Sequence, residues 1–295
     1  MRPARKKLGM SIFSLINGLL LILLGTLCLF PFWHLLVLSF SSANAANQGI
    51  VIFWPVEFTV KAYEVAVKRT EFWLAAWVSV KRLALGVPIQ MGLTILAAYP
   101  LSKPASRFRF RMAFAWFFFF TMLFSGGMIP AYLLVRQLHM MDSIWALVIP
   151  NAAPVFNMVV LMNYFRSLPE EIEEAAKMEG AGQFLIMWRI WTPMALPCIA
   201  TLTLFCLVGH WNAWFDGIIY MNKLENYPLQ SFLRTIILKV DIKNLSMEEW
   251  RELAGQSERT MKASQIMIAS LPIMVMYPFM QRYFIKGITI GGVKG

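Results

Sequence analysis

Six stretches of this chain contain no aspartate, glutamate, lysine or arginine: Leu8 to Val56, Leu83 to Ser102, Met112 to Val135, Ser143 to Phe165, Ile190 to Phe215 and Ala263 to Gln281. Each supplies the roughly 20 residues that carry a helix, at about 1.5 Å rise per residue, across the hydrocarbon of a bilayer. With 58% hydrophobic and only 15% charged residues, the chain holds more apolar surface than one water-soluble core can hide. The expectation is an all-α polytopic membrane protein with six transmembrane helices, at about 11–40, 73–102, 112–136, 143–166, 194–220 and 263–284. An even number of spans puts both termini on one side.

The first run competes with a signal peptide, because "RPARKK" precedes it and "SANA", Ser42 to Ala45, imitates a small-residue cleavage site. Its apolar part, about Ser11 to Phe40, exceeds the roughly 7–15 residues of a signal core and reads as a retained helix. Orientation follows from short-loop cations. Arg2, Arg5, Lys6 and Lys7 precede the first span, and Lys103, Arg107, Arg109 and Arg111 follow the second, so both segments are expected in the cytoplasm. The net charge of +11 then reflects topology and lipid-surface anchoring, with no nucleic-acid partner. Two long outer segments are expected, 41–72 and 222–262, the second carrying the helix-permissive "SMEEWRELAGQSERTMK".

Against that background, 167–193 is unusual: Glu170, Glu171, Glu173, Glu174 and Glu179 crowd into a cytoplasmic connection. Ser167 and Glu170 have capping-box spacing, and Pro169 suits a first helical turn. Glu170 and Glu171 would lie at the positive end of the helix, and Glu173 would pair with Lys177 at i, i+4. Ile172, Ala175, Ala176 and Glu179 fall along one narrow, small-residue side before Gly180 and Gly182 interrupt. Phe184, Met187, Trp188 and Trp191 then recur at helical spacing, an apolar face suited to the membrane interface. A solvated acidic loop is the bland alternative.

Glu174-Ala175-Ala176, three residues, Gly180, nine residues, Ile190, two residues, Pro193 resembles the EAA loop of ABC importer permeases, departing only in Thr192 where leucine is usual. The stretches "AAYPLSK", "FSGGMIPAYLL", "GHWNAWFD", "YPLQSFLR" and "QRYFIKGITIGGVKG" are similar to carbohydrate-importer permeases of the maltose-permease type, in the branch that handles complex or polymeric saccharides. The smaller permease subunit of alginate importers is one candidate within that branch. The resemblance implies a single type I ABC importer transmembrane domain over 1–295, with a cytoplasmic coupling helix before Gly180. It assigns Glu174, Ala175, Ala176 and Gly180, with Glu173 beside them, to docking on an ATPase subunit. It also implies a homologous second permease, two ATPase subunits and an extracytoplasmic solute-binding protein.

The chain contains no G-x-x-x-x-G-K-[ST] phosphate cradle, so ATP and Mg2+ are expected in partner subunits and no cofactor in this one. Cys28, Cys198 and Cys206 suggest neither a disulfide framework nor a metal site, and His34, His139 and His210 are isolated and read as structural. Two features are candidates for the substrate pathway. Lys81 and Arg82 interrupt the second span, either snorkelling to headgroups or forming a cavity-facing basic pair for an anionic saccharide. Trp211, Asn212 and Asp216 lie in "HWNAWFDG", where stacking and amide hydrogen bonds suit sugars and an interfacial aromatic belt explains the tryptophans equally well. Asn151, Asn157 and Asn163 are read as interhelical hydrogen-bonding residues. A stand-alone secondary transporter or channel would call for intramembrane acids, and a membrane-embedded enzyme for clustered His, Asp or Ser/Lys chemistry. The uncharged stretches supply neither.

Overall fold

A computed structural model describes the backbone of residues 3–68, 70–238 and 257–291. All regular elements among the described residues are helical. They fall into two compact units, one drawn from Met1–Arg69 and Lys239–Leu271, the other from Thr70–Leu238 and Pro272–Gly295.

The first unit holds α1 (Pro3–Ser39), α2 (Ala43–Gln48), α3 (Lys61–Lys68) and the beginning of the last helix, α15 (Glu258–Gly291). From Phe13 onward α1 is apolar all round, and its most apolar window is 0% buried, the pattern of a helix whose solvent is lipid. It ends where side chains begin to bind the backbone: Ser41 Oγ donates to Val37 O at 2.8 Å and accepts from Val56 N at 3.2 Å. Ser42 then caps α2, accepting from Ala45 N at 3.2 Å. Asn47 on α2 accepts from Ser257 Oγ at 2.6 Å, and Ser264 of α15 reaches Ala62 O of α3 at 3.5 Å.

The second unit is built around α4 (Thr70–Ser102). Helices α8 (Val155–Arg166) and α12 (Leu196–Asn212) pack along it, and Met91, Ile95, Tyr99, Leu161, Phe165, Trp191, Leu202 and Cys206 share one buried core. Between α4 and α8 run α5 (Arg111–Leu123), α6 (Met128–Gln137) and α7 (Ile144–Val148). Between α8 and α12 lie α9 (Glu170–Met178), α10 (Gln183–Ile186), a wide π-type turn over Met187–Trp191 and the short α11 (Thr192–Met194). After α12 come α13 (Phe215–Tyr220) and α14 (Leu229–Leu238).

Among the described residues, Phe13–Ser39 and Thr70–Ser102 are each long and apolar enough to cross a membrane. Counting each of three bent pairs as one span brings the number up to five: Arg111–Leu123 with Met128–Gln137 at 112°, Ile144–Asn151 with Val155–Arg166 at 48°, and Gln183–Met194 with Leu196–Asn212 at 84°. The spans expected at 112–136 and 143–166 are each a bent pair of helices. The first break falls at Ser125-Gly126-Gly127, ahead of Pro130, and the second at Pro154, where a missing amide or a permissive backbone interrupts the ladder. The sixth expected span, 263–284, lies within α15, which carries Pro272 and Pro278 and is not among those five. Most of the helix-permissive outer sequence at 246–262 falls in residues outside the described ones, whereas 222–238 forms a short 3-10 turn, Leu224–Asn226, and then α14.

Candidate functional site

The acidic connection folds as helix, glycine turn, helix. Ser167 does not cap α9. Its hydroxyl donates back to Tyr164 O at 2.7 Å and closes α8, while Pro169 occupies the N-cap of α9 without a side-chain cap bond. The expected capping box is therefore replaced by a proline start, whose missing N–H would have been unpaired in any case. Glu170, Glu171 and Glu173 occupy the first turn, where the helix dipole favours them.

At the other end the amide of Gly180 donates to Lys177 O at 2.9 Å and that of Ala181 to Ala176 O at 3.0 Å. This pair of bonds is a Schellman termination, and it demands a left-handed residue at Gly180, whose φ is +83°. The bend expected at Gly180 follows from backbone geometry rather than from looseness.

The helix divides into two faces. Glu173 and Ala176 are buried, while Ile172, Glu174, Ala175, Met178 and Glu179 are exposed, Met178 at 89%. Glu173, grouped on sequence with the docking residues, is turned inward and 1% exposed. Its carboxylate meets Lys103, accepts from Lys177 Nζ at 2.6 Å and pairs with Arg107 Nη1 at 3.2 Å. The i, i+4 bond to Lys177 is the one expected from spacing, whereas Lys103 and Arg107 come from the distant 103–111 loop.

Lys103 is itself buried, its ammonium 4.1 Å from the centroid of Tyr99 and 3.6 Å from that of Trp191. Those two rings and Phe165 stand edge to face at 5.6 to 6.3 Å, so the cation sits against the aromatic core of α4, α8 and the π-type turn. Burial pushes Lys103 below the usual lysine value, offset in part by the hydrogen bond to Glu173. Burial would raise the Glu173 carboxyl, but hydrogen bonds from Lys103 and Lys177 outweigh it and hold the group below the usual carboxylate range. The aromatic face expected at the membrane interface is thus split: Met187 and Trp191 join the core, while Phe184 and Trp188 remain exposed. On the outward face, Glu174 keeps one ion-pair partner among the described residues, Arg107 Nη2 at 3.3 Å.

A second constellation lies within the helices. Arg82 is 1% exposed, and its guanidinium holds Asp216 in a two-pronged pair, Nη1 to Oδ1 at 3.1 Å and Nη2 to Oδ2. Its Nε donates to His210 Nδ1 at 3.3 Å, and Nη1 also reaches Ala213 O at 3.4 Å. An Nδ1 that accepts from a guanidinium fixes His210 as neutral imidazole with its proton on Nε2. α4 approaches this ring closely at Gly86, where a Cβ would lie 2.8 Å from it.

Arg82, Gln90, Asn157, Cys206 and His210 line one cavity of about 420 Å³. Gln90 donates to the backbone O of Asn151 at 2.8 Å and Asn157 Nδ2 to Cys206 Sγ at 3.3 Å. Of the three asparagines expected to bond between helices, Asn157 does so through its side chain, while Asn151 contributes its backbone carbonyl and Asn163 is exposed. Two polar atoms of lining residues, Gln90 Oε1 and His210 Nε2, are buried without a hydrogen-bond partner among the described residues. A buried group left without a partner costs about 1–3 kcal/mol.

Of the five residues expected along the pathway, the structure brings Arg82 and Asp216 together and leaves three apart. Lys81 is exposed, 5.5 Å from the Trp77 ring, as a snorkelling lysine would be. Trp211 lines a different, apolar cavity with Leu83, Leu204 and Tyr277, and Asn212 is exposed. Lys81 and Arg82 do not line one cavity together: Arg82 lines the polar one and is paired with Asp216, while Lys81 is exposed beside Trp77. Sequence reasoning missed His210, Gln90 and Asn157 as one group. The available signal was a polar side chain in each of three otherwise apolar runs.

The description "Binding-protein-dependent transport system inner membrane component" matches residues 90–290. Protein LplC of Bacillus subtilis (strain 168) is 36% identical over 284 residues, 96% of this chain and 95% of that protein. The polygalacturonan/rhamnogalacturonan transport system permease protein YtcP of the same organism is 36% identical over 281 residues, 95% of this chain and 97% of that protein. A crystal structure of a bacterial ABC transporter involved in the import of the acidic polysaccharide alginate superposes with a TM-score of 0.84 at 33% identity, over 93% of this chain and 97% of that chain. The chain belongs to the family of binding-protein-dependent transport system inner membrane components, as a permease subunit of a sugar ABC importer.

Proposed function

We propose that this chain is one of two permease halves of an ATP-driven importer that carries an oligosaccharide, handed over by an extracytoplasmic binding protein, through the cytoplasmic membrane. Both termini and α9 face the cytoplasm, where two ATPase subunits hold the ATP and Mg2+. The observation that carries this reading is the division of α9. Its inner face is locked to the core of α4 and α8 through Glu173 and Lys103, and its outer face of Ile172, Glu174, Ala175 and Met178 is left open. Ala175 between apolar Ile172 and Met178, with Glu174 beside it, on a rigid mount suits a groove in an ATPase subunit, and a push on that face passes straight to two spans.

Substrate hydroxyls meet this chain at the cavity of Gln90, Asn157 and His210. Relatives are named for polygalacturonan, rhamnogalacturonan and alginate, and an acidic oligosaccharide is the substrate class they support. The lining here contributes no free cation, because Arg82 is balanced by Asp216. This half therefore reads hydroxyls, and charge is read by the second permease or the binding protein. The test is to purify the chain with the products of neighbouring genes and measure ATPase stimulation by binding protein loaded with galacturonate, alginate or neutral maltose oligomers. Stimulation by an acidic oligomer supports the proposal; a complex that neither assembles with an ATPase nor responds to any loaded binding protein rejects it.

A further inference from the structure

Beside the mount of α9, a pocket of about 300 Å³ collects four cations, Lys103, Arg107, Arg111 and Arg166, against two carboxylates, Glu170 and Glu173. The carboxylates are already used. Glu173 is shared by Lys103, Lys177 and Arg107, and Glu170 stands 4.0 Å from Arg107. Neither Arg111 nor Arg166 is within ion-pair distance of a carboxylate among the described residues. Instead each is tied to the end of α4: Arg166 Nη2 donates to Leu101 O in its last turn at 3.1 Å, and Arg111 Nη1 to the carbonyl of Lys103, the first residue past it, at 3.0 Å. Those bonds satisfy helix-terminal carbonyls and fix both guanidiniums at one pocket. Each guanidinium has five N–H donors, and Arg166 spends only one other contact, on Met162 Sδ at 3.3 Å. Two anchored forks with spare donors and no counter-charge match the oxygens of a phosphate group.

We infer that this pocket binds a phosphate-class anion between Arg111 and Arg166, either the phosphodiester of an anionic lipid headgroup or a free phosphate. The bound oxygens complete the donors that the α4 carbonyls leave open. They also tie the end of α8 to the end of α4, the two helices on which α9 is mounted. Arg107 stays with the acids of α9, so occupancy does not compete with the Glu173 lock. The inference does not depend on the substrate.

The test uses the complete transporter complex in nanodiscs of phosphatidylcholine, of phosphatidylcholine with phosphatidylglycerol, or of phosphatidylcholine with inorganic phosphate added. Bound lipid is counted by native mass spectrometry and thermal stability is followed in parallel. Retained phosphatidylglycerol that falls several-fold in Arg111→Gln/Arg166→Gln, but not in Arg109→Gln from the same loop, supports a lipid source. Stabilisation by inorganic phosphate in pure phosphatidylcholine, lost in the double variant alone, supports a free phosphate. Should the double variant fail to assemble, Arg166→Gln, altered at an exposed position, replaces it. Equal retention and equal phosphate response in all proteins overturn the site.

Discussion

Lys103 and Glu173 lie 70 positions apart, and their buried contact fastens the acidic helix to the bundle. One comes from the end of α4 and the other from the first turn of α9, and both are under 10% exposed. An ammonium between the Trp191 indole and the Tyr99 phenol ring cannot be left without its carboxylate, because burial of an unpaired charge costs several kcal/mol. The pair therefore makes the position of α9 a function of the position of α4. Glu173→Gln is expected to lower stability by about 3–5 kcal/mol, since Lys103 loses its counter-charge in place. Lys103→Met/Glu173→Met removes both charges and should lose markedly less than the single substitutions add up to. Thermal unfolding of the purified complex for wild type, Lys103→Met, Glu173→Met and the double variant gives the interaction energy, and additive losses would show that the two groups are not coupled.

Glu174 makes the opposite case from one residue further on. Its side chain is 63% exposed and its one partner, Arg107, is itself partly solvated, so the pair contributes little to stability. Glu174→Lys should leave the melting temperature of the chain within error of wild type. Binding-protein-stimulated ATPase and transport should fall sharply, because the exposed face of α9 then carries the wrong charge toward the ATPase. Intact stimulation would remove Glu174 from the docking surface.

The contrast between these neighbours marks the limit of what the sequence disclosed. Charge-free runs and glutamate, alanine and glycine spacing were enough for the membrane class, the helix at 170–178 and its stop at Gly180, because these depend on local chemistry. Which acid of the cluster faces inward was not legible. That choice is made by Lys103 and Arg107, loop residues whose approach depends on how α4 and α8 pack. The partner of Arg82 was not legible for the same reason. Sequence left snorkelling and a cavity-facing pair with Lys81 both open, and Asp216, 134 positions later, comes to Arg82 only through packing. The bends within the expected spans fall at glycine and proline, yet their size is set by what neighbouring helices leave open.

Asp142 carries a pH prediction. It adopts φ +59°, and its Oδ1 accepts from Asn222 N at 3.1 Å, Lys223 N at 3.3 Å and Asn226 Nδ2 at 3.0 Å, joining the turn before α7 to the segment after α13. Burial raises the carboxyl, but these bonds overcome it and hold it below its ordinary 3.8. A depressed carboxyl contributes stability that is fully present above the unfolded value and is lost as pH falls through the folded one. Wild type should therefore exceed Asp142→Asn by about 1 kcal/mol at neutral pH, with the gap closing below pH 3.8. A gap independent of pH across that range would show that the carboxylate's charge is not what holds the turn.

Gly86 tests the polar centre through packing alone. A Cβ there would stand 2.8 Å from both Cε1 and Nε2 of His210, and the ring cannot swing aside without releasing Arg82 Nε from Nδ1. Gly92, on the same helix, has nothing within 4 Å of a Cβ and serves as the control. Gly92→Ala should be neutral or stabilising by up to about 1 kcal/mol, the usual helix preference for alanine. Gly86→Ala should instead destabilise by about 1–3 kcal/mol, the range for overpacking a tight contact. Gly86→Ala/His210→Ala relieves the clash but leaves the Arg82 Nε donor and its share of the cavity wall unfilled, so stability recovers in part while transport does not. Equal effects of alanine at positions 86 and 92, read by thermal unfolding in the same detergent, would mean that α4 and α12 do not approach through Gly86 and His210.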